Sequence, residues 1–408
     1  MPKMHTTGLI ETLGHFPLHG LSVDKSLFIK FFLEDSSHFC VILRPRGFGK
    51  THNLSMVEFF LSRSIDATSR KKAFNGLRIE NYTEFVSRKA GCYRVVRLDF
   101  QGLAPCGTWK ELKIKIMTFL CEVLQSHRDL IWRVRSGDLL LRGLASGFTS
   151  DIISDEGLWN VLQDLIQFSE EHVILLVDDY DSPLLYPMDN EEEELLRLKW
   201  FTGFHTTLYW CGNVRKGLVT GTIQVKGIGR LMWCGMNETN FAPFFGFTEV
   251  EVLELLNSVV SNAKKAREIW ERPRGLREMY HGYHFEGGIV MTNPHECIGF
   301  IKRGFHASNI VSNGDIVALC DQFPMIVPAI LGFPDLLKMR TMTCRAPLSR
   351  PIDLLDRDVW LQDTVLRFLF LMGFVTYEKI DRDTGFVRIP NRQMLIGWHR
   401  LKKFFGRF

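Results

Sequence analysis

The most constraining stretch of this sequence is a run of five apolar residues, Phe39-Cys40-Val41-Ile42-Leu43, that opens directly into Arg44-Pro45-Arg46-Gly47-Phe48-Gly49-Lys50-Thr51. The run has the length of a strand. After Lys50, the residues Leu54, Val57 and Leu61 recur at helical spacing, and Met56, Phe59 and Phe60 widen the apolar face. Strand, glycine-containing loop and helix in that order suit the phosphates of a nucleotide. Backbone N–H groups converge in such a loop, and the helix N-terminus adds its positive end. Gly47 and Gly49 let the backbone come close, Lys50 is a point charge for the β- and γ-phosphates, and the Thr51 hydroxyl is a ligand for Mg²⁺. Arg46, Gly47, Phe48, Gly49, Lys50 and Thr51 are the candidate nucleotide-binding residues, with Lys50 also a catalytic candidate. A complete G-x-x-x-x-G-K-T loop has glycine where this chain has Arg44.

The rest of the first half alternates short apolar runs with helical patterns, which predicts an α/β fold with a mostly parallel sheet. Further strands are expected at Tyr93 to Phe100, Val173 to Val177 and Gly217 to Thr220, with Leu231 to Cys234 as an edge. A helix is expected from Trp109 to Leu124. The acidic run Glu191 to Glu194 behind Asn190 suits a capped helix start. After Phe247 the pattern becomes mainly helical: Thr248 to Val260, an interrupted stretch from Glu268 to Tyr283, and Leu361 to Met372. Two strands, Phe374 to Lys379 and Phe386 to Ile389, follow across the turn-rich link Ile380 to Gly385, so the end is winged-helix-like. These shifts divide the chain into 1–247, a nucleotide-binding domain; 248–391, a helical and winged-helix-like region; and 392–408, a basic tail.

A nucleotide's Mg²⁺ also needs a carboxylate at the tip of a strand lying beside the phosphate-loop strand. Val173 to Val177 ends in Asp178, the metal candidate beside Thr51, and Asp179 follows as the residue that polarises the attacking water. Asp181 either supports these two or caps the next segment. Thr220 ends a strand and is a candidate sensor of the γ-phosphate. A hydrolase needs a cation for the transition state as well, for which Arg46, Arg197 and Arg230 are available.

Composition narrows the setting. A net charge of +4 is too small to argue for nucleic acid by itself. Nine scattered cysteines with no C-x-x-C pair point to reduced thiols. Met1 to His15 has no apolar segment of the secretory kind, and no stretch is long enough to span a bilayer. An intracellular, cytoplasmic protein without a membrane span is expected, with the nucleus as the alternative compartment. His281 and His284 lack a third clustered ligand and are expected to be structural.

From about Ser22 to Asn391 the chain resembles the AAA-ATPase-like family of P-loop NTPases. Val23-Asp24-Lys25-Ser26 is similar to its opening V-D-K-T, and Arg44 to Thr51 to its R-P-R-R-F-G-K-T, in which arginine also stands first. Leu98-Asp99-Phe100 resembles its second motif, and Val177-Asp178-Asp179-Tyr180-Asp181-Ser182-Pro183 its I-D-E-Y-D-T-P. Thr220-Gly221, Gly235-Met236-Asn237, Phe245-Gly246-Phe247-Thr248, Tyr280-His281-Gly282-Tyr283, Asn293-Pro294 and Ile389-Pro390-Asn391 continue the series in order. The resemblance implies ATP and Mg²⁺ as cofactors, Walker A and Walker B roles for Lys50, Thr51 and Asp178, and ATP hydrolysis. Two departures follow. Asp179 stands for the family's glutamate, which retracts the carboxylate by about 1.5 Å, and a misplacement near 1 Å can cost about a hundredfold in rate. Slow hydrolysis is therefore expected, or alternatively a nucleotide-gated module with negligible turnover that binds an unidentified protein partner. The family's frequent C-terminal nuclease domain has no counterpart in Arg392 to Phe408, so nuclease activity is not expected; the tail reads as a frayed remnant. Its basic residues, with Arg388 and Arg392, form the stripe Arg388, Arg392, Arg400, Lys402 and Lys403 through which nucleic acid would bind.

Overall fold

The computed structural model describes residues 21–127, 155–167, 169, 171–226, 232–234, 241–285, 288–308, 316–338, 340–345, 352, 362–379 and 384–405. Met1 to His15, Arg230, Leu231, Gly235 to Asn237 and the link 380–383 therefore lie outside the described residues.

Helix α1 (Leu27–Glu34) leads into β1 (Phe39–Leu43), whose five residues are all buried, and the phosphate-loop candidate joins β1 to α2 (Lys50–Leu61). After two short helices, Ala67–Phe74 and Thr83–Lys89, come strand β2 (Arg94–Asp99), helices α3 (Trp109–Ser126) and α4 (Asp155–Gln167), β3 (Val173–Asp178), α5 (Glu191–Tyr209), β4 (Val214–Gly221) and β5 (Met232–Cys234). The sheet order is β2-β3-β4-β1-β5, every neighbouring pair is parallel, and β5 is the expected edge. One expectation is corrected. The strand carrying Asp178 does not lie beside β1, because β4 stands between them.

Alternation along the strands explains the layers. Val173, Leu175 and Val177 pack with α3, α4 and α5 on one face, while Ile174 and Leu176 pack with α1 and α2 on the other. The result is an α/β sandwich in which the strand C-termini, and the loops after them, share one edge. Asn190 caps α5 as expected, its side chain accepting from the Glu193 amide at 3.0 Å.

The second region opens with a capping box, Thr248 with Glu251, on α6 (Glu249–Val260), followed by α7 (Ala263–Glu271) and α8 (Leu276–Tyr280). The helix expected up to Tyr283 thus stops earlier. Residues His281–His284 form β6, paired antiparallel with β7 (Val290–Thr292), and Gly275 at the start of α8 has no room for a side chain, a Cβ there falling 2.6 Å from two carbonyl oxygens. Helix α9 (Pro294–Lys302), α10 (Ile316–Gln322), β8 (Met342–Arg345), α11 (Gln362–Leu371), β9 (Thr376–Lys379) and β10 (Thr384–Arg388) follow. Two short helices, Ile326–Leu331 and Pro334–Leu337, stand between α10 and β8, the three strands are ordered β8-β10-β9, and the hairpin takes in Thr384 and Gly385 from the expected link. The last segment is not frayed. Residues Arg392–Phe405 form α12, with Met394, Trp398 and Leu401 buried and the Trp398 indole donating to the Phe374 carbonyl at 3.1 Å. Its amphipathic period was a docking face.

Candidate functional site

Between β1 and α2 the backbone makes two left-handed steps, at Gly47 (φ 83°) and Gly49 (φ 81°), where a side chain would be strained. Gly49 is the N-cap of α2, and no side chain caps that helix. Its first N–H groups have no intrahelical acceptor, which leaves them for a ligand.

The loop is braced from beneath and from the second region. Arg44 is fully buried, donates to the Leu43 carbonyl at 2.8 Å and lies 4.6 Å over the Phe285 ring. An arginine at the first loop position is thus a pillar inside the protein rather than a contact for phosphate. Phe48, 1% exposed, meets Tyr283 of β6 edge-on at 5.0 Å. The Asn293 amide donates to the Arg46 carbonyl at 3.0 Å, and the His295 N–H, at the start of α9, donates to the Gly47 carbonyl at 3.1 Å. Gly373, after α11, touches the loop too: a Cβ there would come within 2.8 Å of Pro45.

A cavity of about 500 Å³ opens over this loop. Arg46, Gly47, Phe48, Gly49, Lys50 and Thr51 all line it, with Gln101, Asp179 and Asp181 on one side and Val23, Phe247, Pro294 and Ile298 on the other. Lys50 is 6% exposed; its ammonium donates to the Arg44 and Pro45 carbonyls at 2.9 and 3.3 Å and stands 3.9 Å from an Asp179 oxygen.

The carboxylates divide by environment. Asp179 faces the cavity from a left-handed backbone, φ 46°. Burial, the largest cause, pushes its carboxyl up; Lys50 and Arg46 draw it back, and Asp178 adds to the rise. Asp181 is wholly buried and accepts from the Thr222 and Ile223 amides at 2.8 and 2.7 Å, fixing the segment after β4; burial, then the charge of Asp179, pushes it up to about 6. Asp178 is 1% exposed and does not line the cavity. One of its oxygens accepts from the Thr220 hydroxyl at 2.5 Å, and the other meets the Arg97 guanidinium at 3.2 Å. Thr220, also off the cavity wall, further accepts from the Asp179 amide at 3.4 Å.

Of the candidate cations, Arg46 is exposed at the cavity, whereas Arg197 is buried in α5 and held by the Tyr186 carbonyl and Glu194. Arg197 is therefore not placed for a ligand here. His281 contacts the Thr292 hydroxyl at 2.9 Å and is pushed down to about 4, chiefly by burial, while His284 lies against Arg388. Among the described residues no group of three or more His, Cys, Asp or Glu is placed to hold a metal. In the basic stripe, Arg392 is paired with Glu278 and Arg388 is at His284, so two of the five cations are engaged within the fold. No described helix is long and apolar enough to cross a membrane.

Arg97, Asn293 and His295 were given no role by the sequence pattern. Arg97 only interrupts an apolar strand, and Asn293-Pro294 entered only as one of the resembling motifs, with no contact attached to it.

The donors present suit a hard cation held together with phosphates. Thr51 and Asp179 bring oxygen to the cavity, the uncapped start of α2 faces the same space, and a cation would need further oxygens from the nucleotide itself. A family model described as "Predicted AAA-ATPase" matches residues 19–228, the part of the chain that carries the loop and the four strands β1 to β4. Among solved structures, a Walker-type ATPase of Pyrococcus abyssi aligns over 92% of this chain and 94% of its own, at 14% identity and a TM-score of 0.43. No curated protein matches the chain.

Proposed function

The chain belongs to the predicted AAA-ATPase family, and from that premise we propose that it binds ATP with Mg²⁺ over the Arg44–Thr51 loop and hydrolyses it slowly. The observation that carries this reading is the joint placement of Gly47, Gly49, Lys50, Thr51 and Asp179 around one cavity at the uncapped start of α2.

Each residue has a task that its geometry suits. Lys50 would exchange its two carbonyl contacts for the β- and γ-phosphate oxygens, a short swing for a flexible stem. Thr51 and, from behind, Asp178 would hold the metal and its water. Bound with the nucleotide, Mg²⁺ would neutralise charge developing on the phosphates. Asp179 would orient the attacking water and accept its proton, and the burial that raises its carboxyl makes it a better acceptor. Arg46, exposed at the cavity, would be a cation for the transferred group. Thr220 would act through Asp178 and the Asp179 amide rather than by touching the nucleotide.

A second reading has its own support. The phosphate loop is tied to the second region by Asn293, His295 and the Phe48–Tyr283 contact, so nucleotide occupancy would be felt there directly. In that version ATP locks the two regions together, turnover is negligible, and the locked form binds a protein partner.

Mg²⁺-dependent binding of a fluorescent ATP analogue, with phosphate release followed in parallel, tests both. Binding that disappears in Lys50→Ala supports the loop assignment; release above background then favours the hydrolase and its absence the switch. Equal binding by parent and variant would sink the assignment.

A further inference from the structure

Arg97 is the one charged side chain that β2 sends toward both the phosphate-loop helix and the tip of β3. It sits in register with Leu176, two residues before Asp178, and its side chain is 10% exposed. One guanidinium nitrogen donates to the Ser55 hydroxyl at 2.8 Å and to Glu58 at 3.1 Å, both on α2; the other donates to Asp178 at 3.2 Å. With Thr220 on the opposite oxygen at 2.5 Å, both oxygens of Asp178 are engaged.

We propose that Arg97 is a positioning residue that competes with the metal for Asp178, and so sets how much Mg²⁺ the chain needs to hold a nucleoside triphosphate. The inference rests on the nucleotide reading above.

The chemistry favours competition over simple support. A guanidinium stays charged at any working pH, so it neutralises Asp178 permanently unless it moves. The pair is nearly shielded from water, so salt in the medium screens it little. Arg97 is also preorganised. Ser55 and Glu58 hold the other half of its planar fork, in a way that a single ammonium could not reproduce. Those two anchors lie one and two turns beyond Thr51 on the same helix. A shift of α2 on phosphate binding would therefore draw the guanidinium from Asp178 and free the carboxylate as the nucleotide arrives. Glu58 sets the balance, since it shares the guanidinium that would otherwise turn wholly onto Asp178.

The test is a Mg²⁺ titration of the full chain at fixed fluorescent ATP analogue, with thermal unfolding recorded for each protein. Arg97→Met combined with Glu58→Gln removes the guanidinium together with its second carboxylate and leaves Asp178 to the metal, so half-saturating Mg²⁺ should fall roughly tenfold. Arg97→Lys should fall by less. Glu58→Gln alone, which keeps the arginine and perturbs the fold least, should raise the requirement severalfold. Damage to the fold moves the double variant's midpoint upward, so a downward shift is not a structural artefact. A folded double variant whose midpoint is unchanged or raised, or a Glu58→Gln midpoint that is unchanged or lowered, overturns the role of Arg97 and leaves the nucleotide reading standing. Absence of Mg²⁺-dependent binding in the parent overturns both.

Discussion

Asp179 has a backbone that most side chains resist, with φ 46°, and aspartate and asparagine are the residues that accept it with least strain. That gives a physical reason for the shorter carboxylate where the resembling family has glutamate. Asp179→Glu should cost roughly 1 kcal/mol of stability, read as a lower urea midpoint, whereas Asp179→Asn should unfold no earlier than the parent. A Glu variant as stable as the parent would remove the backbone explanation. Asp181 carries a pH signature. Its carboxyl titrates near 6 when folded and near 3.8 when exposed, so between those values the folded chain holds the extra proton. Stability on its account is full below about pH 4 and is lost as pH rises through 6. Asp181→Asn keeps an oxygen for the Thr222 and Ile223 amides, and its advantage over the parent should grow by up to about 3 kcal/mol between pH 4 and 7. A constant gap in urea titrations across that range would contradict this. At this scale the sequence was legible for residues that sit in a run, such as Gly47 to Thr51. It was mute for Arg97, whose partners Glu58 and Asp178 are close only after β2 and β3 have paired.

Helix α5 shows what can be read at the scale of elements and what cannot. Its start, Asn190 and four glutamates, is local chemistry and announced itself. Its interior holds His205 wholly buried among Phe100, Tyr180, Phe201, Phe204 and Tyr209, and burial pushes that imidazole down to about 3. The unfolded chain takes up the proton near 6.5 and the folded chain does not, so acid below pH 6.5 favours unfolding through this residue. His205→Phe should therefore lose less stability than the parent between pH 6.5 and 4.5, by roughly 2 to 3 kcal/mol. Parallel acid titrations of the two proteins would show it, and superimposable curves would rule it out. Strand order escaped the sequence for a related reason. β1 and β3 are buried on both faces, and so is β4 from Lys216 to Gly221, so periodicity carries no sign of which lies beside which. The basic period of α12 pointed outward to a ligand, but its apolar half meets Phe374 and the helices behind it.

Across the whole molecule, the loop from Arg44 to Thr51 is one of the places where the two regions meet. Asn293 contributes twice, capping α9 through its oxygen and holding the Arg46 carbonyl through its nitrogen. Asn293→Asp keeps the cap and replaces the tie with a carboxylate oxygen that repels the Arg46 carbonyl. Nucleotide should slow hydrogen exchange in α9 and β6 of the parent and do so far less in this variant, with nucleotide affinity lowered severalfold; equal protection in both would show that the tie transmits nothing. Another link joins the regions where Val225 after β4 pairs with Ile352. Neither was visible beforehand, because each joins residues that only the complete fold makes neighbours. The position of β1 also bears on how the chain matures. Its two sheet neighbours are strands near residues 217 and 232, so the segment that ends in the loop waits without its sheet partners until those strands have been made. The cavity over the loop is thus a late product of folding, and the apolar run Phe39 to Leu43 is a stretch of nascent chain that a chaperone would have reason to cover.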